Sequence, residues 1–139
     1  LLTVKAFDPH LRLDGAIVTL ASVAALRAMP GADAYTASKG AIVALTRTWS
    51  VEYGRRGIRV NCVCPGPTDT AMMEGILDEL DGAKPLDLPQ QRMATTREVA
   101  DLIAFLVSDT STYVSGAIIP LDGGATAHSA GMPFPRRKS

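Results

Sequence analysis

Apolar residues along this chain fall into runs of two kinds, and each spacing predicts a different element. Gly15 to Leu20 is nearly unbroken in apolar residues, the pattern of a strand buried on both faces of a parallel sheet. Ile58 to Cys64 is a second such run, ended by Pro65-Gly66-Pro67. Between them, from about Tyr35 to Glu52, the spacing turns helical, with Ile42, Leu45 and Trp49 on one face. Gly54 and Gly57, flanking Arg55 and Arg56, mark the end of that helix. Strand, helix and strand joined by short loops predict a βαβ crossover, with parallel strands and a right-handed connection.

The flanking segments extend this pattern. Leu2, Phe7 and Leu11 stand among polar residues as in a half-buried helix that Pro9 interrupts. Ala71 to Ala94 is a long connection that holds one short amphipathic helix. Its Met73, Ile76, Leu77 and Leu80 share a face, while Glu74, Asp78, Glu79 and Asp81 cover much of the rest. Thr95 and Glu98 fit a capping box that opens a helix with Val99, Leu102, Ile103 and Leu106 as its buried stripe. Ala117 to Leu121 is a last strand, and Pro120 assigns it to a sheet edge or a strand end. Asp122-Gly123-Gly124 reads as a turn, and residues 128–139 as a disordered basic tail. Residues 1–127 then form one α/β unit, half of a doubly wound parallel sheet. Leu1 opens an amphipathic stretch without a cap, so the sequence is expected to be part of a longer chain.

Composition narrows the class. The 139 residues are 47% hydrophobic and 20% charged, as in an ordinary globular domain. Fourteen basic residues against fourteen acidic ones give zero formal net charge, which argues against a nucleic-acid partner. The uncharged stretch from Gly15 to Leu26 is twelve residues, short of the ~20 that cross a bilayer. Two cysteines are too few for a disulfide framework, and a cytoplasmic setting is expected. Cys62 and Cys64 alternate on a strand, far in sequence from His10 and His128, so they read as packing residues and no metal site is expected.

The chemistry-bearing residues cluster after the first strand. Tyr35 and Lys39 stand at i and i+4, one above the other on a helix face. An ammonium beside a phenol favours the phenolate, which suits the Tyr to general acid–base work. Ser22 lies thirteen residues before Tyr35, at the carboxyl end of the first strand, where doubly wound sheets bind ligands. From there Ser22 could donate to a substrate oxygen beside the Tyr hydroxyl. Trp49 and Tyr53 read as core or subunit packing, and Asn61 as a hydrogen bonder that helps fix the Pro65-Gly66 loop. Met72 and Met73 read either as core filler or as adaptable pocket lining.

Taken in order, the motifs Ile17 to Ser22, Tyr35-x-x-x-Lys39, Val60 to Gly66 and Gly116 to Gly124 resemble the short-chain dehydrogenase/reductase family. The resemblance spans Gly15 to about Ala127. It implies a Rossmann-like sheet of which this chain is the C-terminal half. It implies an oxidoreductase that interconverts a small-molecule secondary alcohol and a ketone with NAD or NADP, with a 3-oxoacyl reductase among the activities it admits. By that resemblance Ser22 polarises the substrate, Tyr35 transfers the proton, and Lys39 assists Tyr35 and holds the nicotinamide ribose. Pro65, Gly66, Thr68 and Thr70 would lie against the nicotinamide. Met72, Met73, Ile76 and Leu77 are expected on a substrate lid, and the full-length protein is expected to be a dimer or tetramer of one chain.

The resemblance is partial. The family's Gly-rich pyrophosphate loop and the residue that selects NAD or NADP have no counterpart among these residues. The family's helix-borne Asn, which precedes the serine, is likewise absent. The chain is therefore expected to hold a catalytic half. The alternative is a non-catalytic relative kept for oligomer or protein contacts.

Overall fold

The computed structural model describes residues 2–79 and 88–128. Strands β1 (Ala16–Leu20), β2 (Arg59–Pro65) and β3 (Ile118–Leu121) form one sheet in the order β1-β2-β3. Both pairings are parallel, with Val18 opposite Asn61 and Val63 opposite Ile119. The α-helices are α1 (Leu2–Phe7), α2 (Asp33–Gly54), α3 (Ala71–Glu79) and α4 (Thr96–Val107).

Residues Arg59 to Cys64 of β2 are buried without a break. The alternation of side chains along a strand explains how one segment satisfies two neighbours. Val60, Cys62 and Cys64 face α2: Val60 packs with Trp49, and the two cysteines pack with Ile42 and Val43. Arg59 and Asn61 face the other way. The Arg59 guanidinium donates to Leu106 O at 2.7 Å, Ser111 Oγ at 2.8 Å and Ser108 O at 3.1 Å. Those oxygens lie in or just past the last turn of α4, where carbonyls lack intrahelical partners and the helix dipole is negative. A buried cation is thereby satisfied without a carboxylate.

Most elements coincide with the expectations from spacing. α2 begins two residues before Tyr35, and its Trp49 is core. The capping box is complete: Thr95 Oγ1 accepts from Glu98 N at 3.2 Å, and Glu98 Oε2 accepts from Thr95 N at 2.8 Å. Leu106 is fully buried, while Val99, Leu102 and Ile103 are half-buried. Pro120 lies in β3, an edge strand among the described residues.

Three expectations need correction. β1 is not buried on both faces: it is half-buried and Leu20 is 46% exposed, because β1 pairs only with β2 among the described residues. Leu2 and Phe7 are exposed; Leu11 does pack against the Trp49 cluster as expected, and Val4 joins it there. Asn61 does not fix the Pro65-Gly66 loop. Its Nδ2 donates to Val114 O at 2.7 Å and its Oδ1 accepts from Ala117 N at 3.0 Å, so it clamps the loop that leads into β3. Of the two readings left open for Met72, its 72% exposure rules out core filler. Leu80, Asp81 and residues 129–139 lie outside the described residues.

Two outcomes follow from these contacts. The Arg92 guanidinium, with the Thr95 amide and hydroxyl, holds the Glu98 carboxyl at about 2, below its ordinary 4.5. A folded value below the unfolded one means stabilisation complete above the unfolded value and lost as pH falls toward the folded one. The unfolding midpoint of Glu98→Gln should lie below that of the parent near neutral pH, and the two should converge by about pH 2. The second outcome concerns Gly66, where a Cβ would sit 2.9 Å from Asp122 Cβ and 3.0 Å from Asp122 Cα. Gly66→Ala should cost about 1–3 kcal/mol in denaturant unfolding, as overpacking usually does.

Candidate active site

Parallel strands deliver their carboxyl ends to one edge of the sheet, and the chain leaves each of them into a segment singled out by its sequence. After β1 the Ala21 amide still donates to Val63 O at 2.9 Å, and Ser22 follows at the sheet edge. Ser22 is extended, with φ −167°, and its Oγ accepts from Ala24 N at 3.2 Å, capping the single 3-10 turn Val23–Ala25. Acceptance leaves the Ser22 hydroxyl proton available for donation.

The α2 helix starts beyond this turn, so Tyr35 and Lys39 in its first two turns return to the same edge. Lys39 Nζ lies 5.6 Å from the Tyr35 ring centroid. The same ammonium donates to Leu20 O at 3.3 Å, two residues before Ser22. One lysine thus touches the tyrosine and the strand end that carries the serine. Tyr35 is 40% exposed, so its phenol is open to a ligand. Ser38 Oγ donates to Tyr35 O at 2.7 Å and takes no part in this edge contact.

After β2 the chain turns sharply. Gly66 N donates to Leu121 O at 2.9 Å, and the missing Cβ is what admits Asp122 so close. Pro67 O accepts from Ala94 N at 3.0 Å and Asp69 N donates to Ala94 O at 2.8 Å, a parallel bridge that pairs Thr68 with Ala94. In such a bridge the residue between those two bonds turns its own N–H and C=O away from the partner. Thr68 O accepts from Thr70 Oγ1 at 3.2 Å, and Thr68 Oγ1 donates to Gly66 O at 3.0 Å. Thr70 also begins α3: its carbonyl accepts from Met73 N at 2.9 Å and from Glu74 N at 3.0 Å. Its hydroxyl is engaged within this turn, a local role that the motif did not suggest.

None of the described α3 side chains is buried. Met73 and Leu77 are half-buried, and Met72 and Ile76 are exposed. The helix is therefore not a core element, although its apolar spacing would suit one.

The structure adds a lock that the sequence did not announce. The Arg27 guanidinium donates to the carbonyls of Thr126 and His128, tying the segment after β3 to the loop that follows Ser22. Asp122 organises that segment. Burial alone would raise its carboxyl, yet bonds from Thr126 N at 2.7 Å and Gly124 N at 3.0 Å hold it below the usual range. Gly123 and Gly124 both have positive φ, as the expected turn requires. An exposed Arg in a loop carries no signal of its partners, since main-chain carbonyls are invisible to residue type.

Cys62 Sγ and Cys64 Sγ are 3.9 Å apart and fully buried. The hydrogen bond between them pushes the Cys64 thiol up, with burial adding to the rise, and pulls the Cys62 thiol down against its burial. No helix among the described residues is long and apolar enough to cross a membrane.

Comparison with known proteins supplies the frame for this geometry. The sequence model of the enoyl-(acyl carrier protein) reductase family matches residues 1–126. The chain is 46% identical over 127 residues to 2-(R)-hydroxypropyl-CoM dehydrogenase of Xanthobacter autotrophicus, covering 88% of this chain and 51% of that protein. It is 44% identical over 126 residues to meso-2,3-butanediol dehydrogenase of Serratia marcescens, covering 90% and 50%. Among solved structures, a short-chain dehydrogenase family protein of Francisella tularensis superposes with a TM-score of 0.84 at 34% identity, over 91% of this chain and 57% of that one. ElxO with NADP bound superposes with a TM-score of 0.76 at 28% identity, over 91% and 51%. The chain thus spans about half the length of the curated relatives it matches. With the α/β order, the parallel sheet and the ordered motifs in agreement, the chain belongs to the short-chain dehydrogenase/reductase family and carries part of its Rossmann-type fold.

Proposed function

We propose that this chain supplies the catalytic residues of an NAD- or NADP-dependent oxidoreductase that interconverts a secondary alcohol and a ketone. The observation that carries this reading is the double contact of Lys39, with its ammonium 5.6 Å from the Tyr35 ring centroid and bonded to Leu20 O beside Ser22. A side chain serving only for packing has no use for a cation held between a phenol and a strand end.

In this reading the Ser22 hydroxyl donates to the substrate oxygen, and Tyr35 Oη exchanges the proton with it. Lys39 stabilises the phenolate and keeps two of its three N–H donors for ribose hydroxyls. When bound, the nicotinamide would give a hydride to the ketone carbon or take one from the alcohol carbon. The Cβ-less face of Gly66 closes on Asp122, which folds the turn sharply enough for its backbone to form one wall of a nicotinamide site. Pro65, Thr68 and Thr70 complete that wall. The dehydrogenases among the relatives, named for a hydroxypropyl group and a butanediol, support a small alcohol over an acyl chain. A 3-oxoacyl substrate has the support of a relative of that name in Chlamydia muridarum, 39% identical over 110 residues.

The same proposal makes α3 a lid, with Met72, Met73, Ile76 and Leu77 meeting the substrate. It leaves Thr70, at the end of the nicotinamide-side segment, and keeps apolar side chains out of the core. Closing such a face over a substrate excludes water from the proton transfer. Two free cysteines suit a reducing cytoplasm, and a dimer or tetramer of one chain completes the proposal.

Substitutions in the full-length protein test the assignment of roles. Tyr35→Phe should lower turnover by at least about 10²-fold with cofactor affinity unchanged, since only the transferable proton is lost. Lys39→Met should weaken both turnover and cofactor binding, and equal effects of the two variants on cofactor titration would refute the division. Hydrogen exchange tests the lid separately. The amides of α3 should exchange faster than those of α2 without ligand and slow when substrate and cofactor are added. Protection equal to α2 under both conditions would make α3 a fixed element.

A further inference from the structure

Helix α2 presents a single stripe to the sheet: Tyr35, Lys39, Ile42, Thr46, Trp49 and Tyr53 recur at alternating spacings of four and three. The lower members pack in the core, and the upper two form the candidate site. In the middle stands Thr46, fully buried and polar. Its Oγ1 donates to Ile42 O at 2.9 Å and lies 2.8 Å from Thr19 Oγ1 of β1. Thr19 Oγ1 is also 3.2 Å from Asn61 O of β2. One point therefore ties helix, first strand and second strand together.

The protons account for these bonds. Thr46 gives its own to Ile42 O and so offers Thr19 an acceptor, while Thr19 can donate either to Thr46 or to Asn61 O. Neither hydroxyl is left unsatisfied. Valines of the same shape would fill the space equally well and carry no polar atom to desolvate. What valines could not supply is direction. Contacts of Ile42, Val43 and Trp49 with the sheet are non-directional and change little if α2 slides by a fraction of an ångström. A hydrogen bond of 2.8 Å does not tolerate such sliding.

We propose that Thr19 and Thr46 are positioning residues that set the axial register of α2 on β1, and through it the place of Tyr35 and Lys39 relative to Ser22. Thr46 lies seven residues along the same stripe from Lys39, about 10 Å at the rise of an α-helix, so a shift at Thr46 reaches Lys39 undiminished. The other polar tie between α2 and β1 is Lys39 to Leu20 O, longer at 3.3 Å and made by a flexible side chain. The buried tie holds the register when Lys39 turns to another partner. This inference rests on the catalytic reading of Tyr35 and Lys39 for its kinetic consequence but not for its structural one.

Thr46→Val removes the directional bond and keeps the volume, Thr46→Ser keeps the hydroxyl, and Thr19→Val leaves the bond from Thr46 to Ile42 intact. In the full-length enzyme both valine variants should lower kcat about five- to tenfold with KM unchanged, and Thr46→Ser should restore most of it. The Tyr35 ring resonances in NMR report Lys39 beside the ring without any turnover. They should move in both valine variants and return in Thr46→Ser, while those of Tyr53 stay in place and the unfolding midpoint changes little. Valine variants that match Thr46→Ser in kcat and in Tyr35 resonances would overturn the proposal. So would valine variants whose Tyr53 resonances and unfolding midpoint shift along with kcat, since the hydroxyls would then be general packing. If the Tyr35 resonances move as expected while Tyr35→Phe retains full turnover, the register role stands and the catalytic reading falls.

Discussion

Strand β2 from Arg59 to Cys64 has no face left to water, because α2 covers Val60, Cys62 and Cys64 while α4 and the loop before β3 cover Arg59 and Asn61. Each neighbour is held by a different kind of force. The α2 side is apolar contact, which is strong and undirected. The other side is a set of directed bonds from one guanidinium and one amide, which satisfies the orphan carbonyls past α4 and the groups before β3. Removing β2 from this sandwich would leave β1 and β3 without a strand partner among the described residues.

The candidate site is a consequence of that arrangement. Parallel strands bring Ser22 and the Pro65–Thr70 segment to one edge, and the helix that joins β1 to β2 has to start there. Tyr35 and Lys39 therefore reach the edge because α2 is a crossover, with no separate device to deliver them. Lys39 adds the local contact, spanning from the Tyr35 ring to Leu20 O. The glycine at position 66 and the turn at Asp122 close the far end, where backbone approaches backbone too nearly for a side chain.

Buried polarity is sparse, and each instance either joins two elements or closes a helix end. Arg59, Asn61, Thr46 and Ser111 are the buried polar residues described, and all four join elements distant in sequence or stabilise a helix end. A core of purely apolar contacts would leave the relative sliding of α2, α4 and the sheet weakly specified. The exposed ion pair of Arg97 with Asp101 sits on the surface of α4 and contributes little by comparison.

The sequence by itself determined the elements and their order, because period-2 and period-3.6 patterns follow from backbone geometry. The helix face that unites Tyr35 and Lys39, the Thr95 to Glu98 capping box and the turn at Asp122 were legible for the same local reason. Only the tertiary structure decided where side chains found non-local partners: Asn61 on the loop before β3, Arg59 on the end of α4, Arg27 on Thr126 and His128, and Thr46 on Thr19. It also decided that β1 is only half-buried, since a run of apolar residues states a preference for burial but not whether a neighbour provides it. Most of these partners are main-chain carbonyls, identical at every residue, so residue type carries no record of them and only the folded geometry selects one.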